Sequence, residues 1–165
     1  MRTTIICVLA AWLVSHVVVI AGSDSQVERA SLTGLMTISV VVEDLAPIAG
    51  RSGLTTVALQ TDVERRLHLA GISVTPDADA YLYVHVTVGD PGASLPLPYF
   101  VETTLMQEVT LPRGLRTRTP LQCPTWGLNR LGLADSGSLR TVVSDRVGEF
   151  VDQFIRAYRS VNPKP

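Results

Sequence analysis

His85 is the residue of this chain whose type and setting come nearest to those of a metal ligand. It projects from a segment of alternating residues, 80–89, and a bound metal ion would need two or three further ligands beside it. Cys123, Glu102 and Glu108 are the candidates that the sequence offers. No motif such as H-E-x-x-H groups them, so we expect no metal site.

Carboxylates suitable for paired acid and base catalysis are not evident. Glu102 and Glu108 share one face of a predicted strand. The chain between them would span roughly 20 Å at about 3.3 Å per residue, whereas the carboxylates of a glycosidase lie about 5–10 Å apart. The sequence also has no G-x-S-x-G or S-x-x-K motif, so it predicts no catalytic residue.

Gly127 and Gly132 have the spacing of the two glycines in a phosphate-binding loop. Such a loop needs Lys and then Ser or Thr directly after the second glycine, to hold phosphate and magnesium. Leu133 and Ala134 occupy those positions. We therefore expect an ordinary loop and no cofactor.

A lone cysteine and a group of arginines are the remaining reactive or charged features. Cys123 is the single cysteine outside the N-terminal apolar run that contains Cys7, so no intramolecular disulfide is expected there. We interpret Cys123 as a small buried hydrophobe, with a thiol that links a partner as the alternative. Arg113, Arg116 and Arg118 indicate a solvated hairpin tip, or alternatively an anion or partner site.

Residues 1–23 have the layout of a secretory signal peptide. Arg2 precedes an uncharged, mostly apolar run that ends at Ala21, and Ala21-Gly22-Ser23 places small residues before a cut at Asp24. We expect export to the periplasm or the medium. An uncleaved anchor is the alternative, with the run at the lower limit for spanning a bilayer, which takes about 20 residues.

The rest of the chain is predicted to hold a loose leader at 24–34, a single domain at 35–160 and a tail at 161–165. The formal net charge of the whole chain is −1, which argues against nucleic-acid binding. No polybasic segment offers attraction to anionic lipid. Contact with a membrane is expected only if the N-terminal segment stays uncleaved.

Hydrophobic periodicity predicts four strands and two helices. The strands are 35–45, 80–89, 99–111 and, more weakly, 116–126. The helices are 56–70 and a longer one of roughly 20 residues, which Ser138 can cap at its start and Asn162-Pro163 ends. Irregular alternation around Gln107 indicates a bulge. Two prolines, Pro120 and Pro124, place the weaker strand at an edge, and 127–137 is predicted to be a loop.

The order β-α-β-β-β-α defines the expected fold class. Because strand-helix-strand connections are right-handed, both helices should lie on one face of the sheet. We predict an α+β two-layer sandwich with about four strands. Gly148, inside the last helix, should mark a close contact with the sheet or the first helix.

The face of the sheet opposite the helices is the candidate interaction surface. Aromatic and Met side chains are enriched at protein interfaces. The alternative interpretation is an ordinary solvated sheet face. The residues predicted for this surface are Tyr81, Tyr83, His85, Met106 and Trp126.

The layout resembles that of small accessory proteins of the bacterial envelope, such as assembly-factor subunits that pair with outer-membrane machinery. It combines a signal segment, one strand, a helix that ends in Leu67-x-x-Ala70-Gly71-Ile72, a meander and a long C-terminal helix. Residues 53–72 also resemble a group of uncharacterised exported bacterial proteins. The resemblance implies a protein partner in the cell envelope and assigns no site residue.

The leading hypothesis is therefore a non-catalytic exported module for binding or assembly. The alternative is a small exported enzyme with a site near His85 or Cys123, built from residues scattered in the sequence. The surroundings of His85 distinguish the two: an enzyme should have a cleft with an acid or thiol in reach, and a binding module a flat aromatic face.

Overall fold

The structure is a computed structural model that describes residues 24–90, 92, 96–110 and 121–163. The predicted signal peptide and the arginines of the predicted hairpin tip lie outside the described residues. Within the described part, no helix is long and apolar enough to cross a membrane. The elements are α1 Gln26–Ala30, β1 Thr37–Val42, α2 Pro47–Arg51, α3 Thr56–Leu69, β2 Ser73–Val74, β3 Tyr81–Val88, β4 Leu97–Val109, β5 Leu121–Ala134 and α4 Leu139–Val161.

The strands form one open sheet in the order β2-β1-β3-β4-β5. β1 pairs in parallel with β2 and β3, and the remaining pairs are antiparallel. The mixed α/β class is confirmed, but the described residues form five strands and four helices instead of about four and two. The additional elements are β2, α1 and α2, which are too short to produce a hydrophobic period in the sequence.

The alternation in β3 separates a buried face from a partly exposed one, as predicted. Leu82 and Val84 are fully buried, whereas Tyr81 and Tyr83 are partly exposed. The buried face packs in one core cluster with the apolar sides of α3 and α4. α3 contacts β1, α4 contacts β4 and β5, and the two helices contact each other. The opposite face of the sheet is where β3 presents its tyrosines.

Gly148 in α4 lies against Arg66 of α3, which confirms the expected contact with the first long helix. A Cβ at this position would stand 2.7 Å from Nη2 and 2.8 Å from Cζ of Arg66. The guanidinium crosses the groove between the helices and donates from Nη1 to Asp152, at 3.0 Å. The bare backbone of Gly148 therefore provides the space for an ion pair between helices.

The first described residues, 24–34, differ from the expected loose leader. They contain α1, whose start is stabilised by a capping box in which Ser25 and Glu28 bond each other's backbone N–H. Leu32, which follows the helix, is fully buried in the core. The S-x-x-E spacing of Ser25 and Glu28 is the sequence signal for this start of a helix.

The predicted loop at 127–137 is also wrong, because β5 continues to Ala134. The sequence favours a loop position for Gly132, but this residue lies opposite Tyr99 of β4. A Cβ at Gly132 would stand 2.5 Å from Cζ of Tyr99. The glycine therefore admits a buried aromatic ring inside a strand. The predicted position of the strand at an edge is confirmed, since β5 ends the sheet order.

Two expectations about the ends of helices have different outcomes. α4 ends at Val161, directly before Asn162, as the sequence predicts. Ser138 occupies the N-cap position but makes no capping hydrogen bond with its side chain. Its hydroxyl donates instead to the carbonyl of Asp135, at 3.2 Å.

Candidate functional site

We use the term open face for the side of the sheet that points away from the core cluster. Directly opposed residues on neighbouring strands share a face. A row is a set of directly opposed residues, and every second row across β1 to β5 therefore lies on this side of the sheet. The open face includes Val41, Tyr81, Tyr83, His85, Thr87, Phe100, Glu102, Thr104, Met106, Leu131 and Leu133.

Four of the five residues predicted for the interaction surface lie on the open face. They are Tyr81, Tyr83, His85 and Met106, and each is partly exposed. Tyr81 is opposite Met106, and Tyr83 is opposite Thr104. The structure therefore brings these side chains together on two adjacent strands, β3 and β4.

Trp126 is not on the open face, so this part of the prediction is wrong. Its side chain is 1% exposed and packs edge-on against Phe154, with ring centroids 5.2 Å apart. The cause is a register shift: Leu105 pairs with Trp126, and Met106 pairs with Pro124. Thr125 is the extra residue of a β-bulge, and it turns Trp126 toward the core.

Glu43 is the residue of this candidate site that sequence reasoning missed. It lies directly after β1, where its N–H donates to the carbonyl of Val84 in β3. Its carboxylate Oε2 accepts a hydrogen bond from the Tyr83 hydroxyl and also contacts Nδ1 of His85. Only the parallel register of β1 and β3 reveals this neighbourhood, because no local motif connects these residues.

The contact between Glu43 and Tyr83 changes the pKa of both groups. The hydrogen bond to Glu43 raises the pKa of Tyr83 from 10.0 to about 12, because the anionic acceptor holds the phenolic proton. The same bond, followed by that from His85, lowers the pKa of Glu43. Tyr83 is therefore a fixed, neutral phenol beside an ionised carboxylate at neutral pH.

The opposite nitrogen of the His85 ring completes a line of polar groups. Nε2 lies 2.7 Å from Oγ1 of Thr87. The His85 ring is stacked with Tyr83, with centroids 6.4 Å apart and an interplanar angle of 11°, and it is tilted against Phe100 at 6.1 Å. Glu43, His85 and Thr87 thus form a carboxylate–imidazole–hydroxyl series, the order of groups that activates a hydroxyl in nucleophilic catalysis.

The candidate metal ligands do not converge on His85. Glu102 lies directly opposite it in β4. Cys123 is half-buried and pairs with Gln107 beyond the bulge, and Glu108 pairs with Gln122 there. Among the described residues, no group of three His, Cys, Asp or Glu side chains could hold a metal ion.

A shallow hollow of about 420 Å³ lies on the open face beside the tyrosines. Its lining is formed by Tyr81, Tyr83, Glu102, Thr104, Met106 and Pro124. A larger hollow of about 620 Å³ has no aromatic or His side chain in its lining. The hollow beside the tyrosines therefore combines ring faces, a thioether and one carboxylate.

Comparisons with known proteins identify no family for this chain. No family model and no curated protein matches it. A solved structure of a PelC variant from Paraburkholderia phytofirmans, a dodecamer, is similar at 14% sequence identity and a TM-score of 0.38. That match covers 74% of this chain and 86% of the PelC chain.

Proposed function

We propose that this chain is an exported two-layer sandwich of the bacterial envelope that binds another protein through its open face and performs no catalysis. The observation that carries the proposal is the group of aromatic and aliphatic side chains that stand exposed on this face. Contiguous exposed apolar surface on a globular protein is typical of interaction sites.

The most exposed part of the open face is aliphatic. Leu131 is 73% exposed and Leu133 is 68% exposed, on the edge strand β5. Leu131 lies directly opposite Phe100, which contacts the His85 ring. The leucines, Phe100 and the tyrosines thus extend across three strands, and burial of such a surface against a partner would remove apolar area from water.

The tyrosine at the centre of the open face is already held in position. The hydrogen bond to Glu43 and the stacked His85 ring restrict the Tyr83 side chain. A side chain that is ordered before binding loses less conformational entropy in a complex. Tyr is also among the residues that contribute most binding energy at interfaces.

Export to the envelope is the second part of the proposal. It rests on the charged start, the apolar run and the small residues of segment 1–23. The mass of the intact protein from its native host tests it. A protein that begins at Asp24 supports a cleaved signal peptide, and a full-length protein in the membrane fraction supports the anchor.

The binding function is tested with two matched leucine substitutions. Leu131 on the open face and Leu69 on α3 are 73% and 75% exposed, so Leu131→Ser and Leu69→Ser remove similar apolar area from opposite sides of the molecule. Both variants should melt within a few degrees of the parent, since exposed positions tolerate substitution to within about 0.5 kcal/mol.

Capture from envelope extracts, with the bound proteins identified by mass spectrometry, then separates the two variants. We expect the Leu131→Ser protein to lose a partner that the parent and the Leu69→Ser protein both retain. Equal capture by all three proteins would contradict a binding role for the open face.

The series Glu43–His85–Thr87 supports a second candidate function, the hydrolysis of an ester. His85 would take the hydroxyl proton of Thr87 as the oxygen attacks the carbonyl carbon, and would return that proton to the departing alcohol. Water would then hydrolyse the acyl-threonine, and Glu43 would stabilise the imidazolium in both steps. Binding is the better-supported function, because the series lies on a sheet surface and the His85 side chain is 29% exposed.

An esterase is tested with p-nitrophenyl acetate as the substrate. Hydrolysis that exceeds the buffer rate and is abolished by both Thr87→Val and His85→Gln would support the enzyme. Activity that survives Thr87→Val would reflect an exposed imidazole alone and would count against it.

A further inference from the structure

We infer that the hollow beside Tyr81 and Tyr83 accepts the arginine side chain of a protein partner. The inference rests on the proposed binding function and specifies its chemistry. Three properties of the open face lead to it: the charge of its residues, the lack of a partner for Glu102 among the described residues, and the composition of the hollow's lining.

The open face is acidic where it carries charge. The rows assigned to it by the register include Glu102, and Glu43 lies beside them, whereas none of these rows contains Lys or Arg. Among the described residues of the strands, Arg130 is the one Lys or Arg, and it pairs with Val101 on the side of the core. A basic group on a partner is therefore complementary to this surface.

The two carboxylates nearest His85, Glu43 and Glu102, differ in the contacts that they already make. Glu43 already accepts from Tyr83 and contacts His85. Glu102 lies opposite His85 and contributes to the lining of the hollow, but within the described residues it has neither a hydrogen bond nor an ion pair. Glu102 is thus the carboxylate that remains available to a ligand.

The lining of the hollow matches the parts of an arginine side chain. Met106 and Pro124 offer apolar contact for the aliphatic stem, and the tyrosines offer ring faces to the guanidinium. The bond from Tyr83 to an anionic acceptor increases the electron density of its ring. Arg suits this arrangement better than Lys, because its planar group can stack on an aromatic ring while it donates to a carboxylate.

The test uses two synthetic peptides that differ only in whether one side chain ends in the charged guanidinium of arginine or the neutral urea of citrulline. The probes are acetyl-Ser-Leu-Arg-Leu-Ser-amide and its counterpart with citrulline in place of arginine, titrated into isotope-labelled protein and followed by NMR. We expect the arginine peptide to shift resonances of the open face and to bind about fivefold more tightly than the citrulline peptide, as a partly exposed ion pair would give. The difference should shrink as ionic strength rises.

Glu102→Gln should remove the preference for the arginine peptide. The control is Glu64→Gln, which makes the same change of charge on α3 and should retain that preference. Thermal melts of both variants establish that they are folded. Equal binding of the two peptides to the parent protein, or equal affinity of both variants for the arginine peptide, would overturn the inference.

Two further outcomes separate this inference from the proposed function. If Leu131→Ser loses its partner while Glu102→Gln retains it, the open face binds a protein but not through arginine. If the protein alone forms a dimer that Glu102→Gln dissociates, a second copy occupies the hollow and the assignment to a separate partner is wrong.

Discussion

The indole N–H of Trp126 donates a hydrogen bond to Asp24 Oδ1, at 3.1 Å. The same carboxylate accepts from the guanidinium of Arg29 in α1, with Nε at 2.8 Å from Oδ1. The first residue of the described chain is therefore attached to a buried ring of the edge strand β5. This pair connects the start of the domain to its core.

Removal of either partner of this hydrogen bond should destabilise the fold. We expect Asp24→Ala to lower the free energy of unfolding by about 1–2 kcal/mol, because it leaves the indole N–H of Trp126 without its acceptor. Replacement of Trp126 by a smaller residue would create a cavity, so the comparison uses Asp24 instead. Asp24→Asn retains an acceptor oxygen and should lower the free energy of unfolding by less than Asp24→Ala does. Urea denaturation measures both, and equal losses for the two variants would contradict this order.

The contribution of Asp24 should also depend on pH. The bond from Arg29, followed by that from Trp126, holds the pKa of Asp24 below its ordinary value of 3.8 in the folded state. The added stability is thus present above that value and is lost as the pH falls through the lower, folded-state pKa. The difference in unfolding free energy between the parent and Asp24→Asn should shrink on acidification across this range. A constant difference would show that the carboxylate charge is not involved.

Tyr83 offers a spectroscopic test of the contact with Glu43. Its pKa of about 12 should fall toward 10.0 in Glu43→Gln, because the anionic acceptor of the phenolic proton is removed. Ultraviolet titration of the parent and of Tyr83→Phe assigns the transition to this residue. Since the raised pKa belongs to the folded state, the associated stability is complete below pH 10.0 and is lost as the pH rises through 12. An unchanged transition in Glu43→Gln would refute the contact.

Gly148→Ala should stabilise the protein in an Arg66→Ala background but not in the parent. In the parent, the new methyl group would displace the Arg66 guanidinium from Gly148 and from Asp152, which offsets the helix propensity of Ala. In an Arg66→Ala background the space is free, and the same change should stabilise the protein by about 1 kcal/mol. Thermal melts of the parent, the two single variants and the double variant give the coupling energy between positions 66 and 148. A stabilisation of equal size in both backgrounds would exclude the proposed clash.

Local patterns were sufficient for the elements that have a clear period. The alternation from Tyr81 to Val88 predicted both the strand and the separation of its buried and exposed faces, because side chains of a strand point to opposite sides in turn. The same rule failed for Trp126, since one extra residue at Thr125 reverses the faces beyond it. The irregularity near Gln107 indicated a bulge, but not that the extra residue belongs to the partner strand.

The polar cluster on the open face could not be predicted for a different reason. Glu43 reaches Tyr83 and His85 through the parallel pairing of two strands that are separated by α3. Such a register depends on how the crossover packs, and no local spacing in the sequence encodes it. The sequence therefore predicts Tyr83 and His85 on one strand, but it does not predict that Glu43, directly after the neighbouring strand, contacts them.

The bulge at Thr125 has a further consequence for the behaviour of the protein at high concentration. β5 is a long edge strand, and a regular edge of this length is a template for intermolecular pairing and amyloid growth. Pro124 lacks an N–H, and Thr125 is an extra residue beside it. The backbone donors and acceptors on the two sides of the bulge therefore do not share one regular spacing. A foreign strand could align with one half of this edge only, which protects the chain against polymerisation while the open face stays accessible.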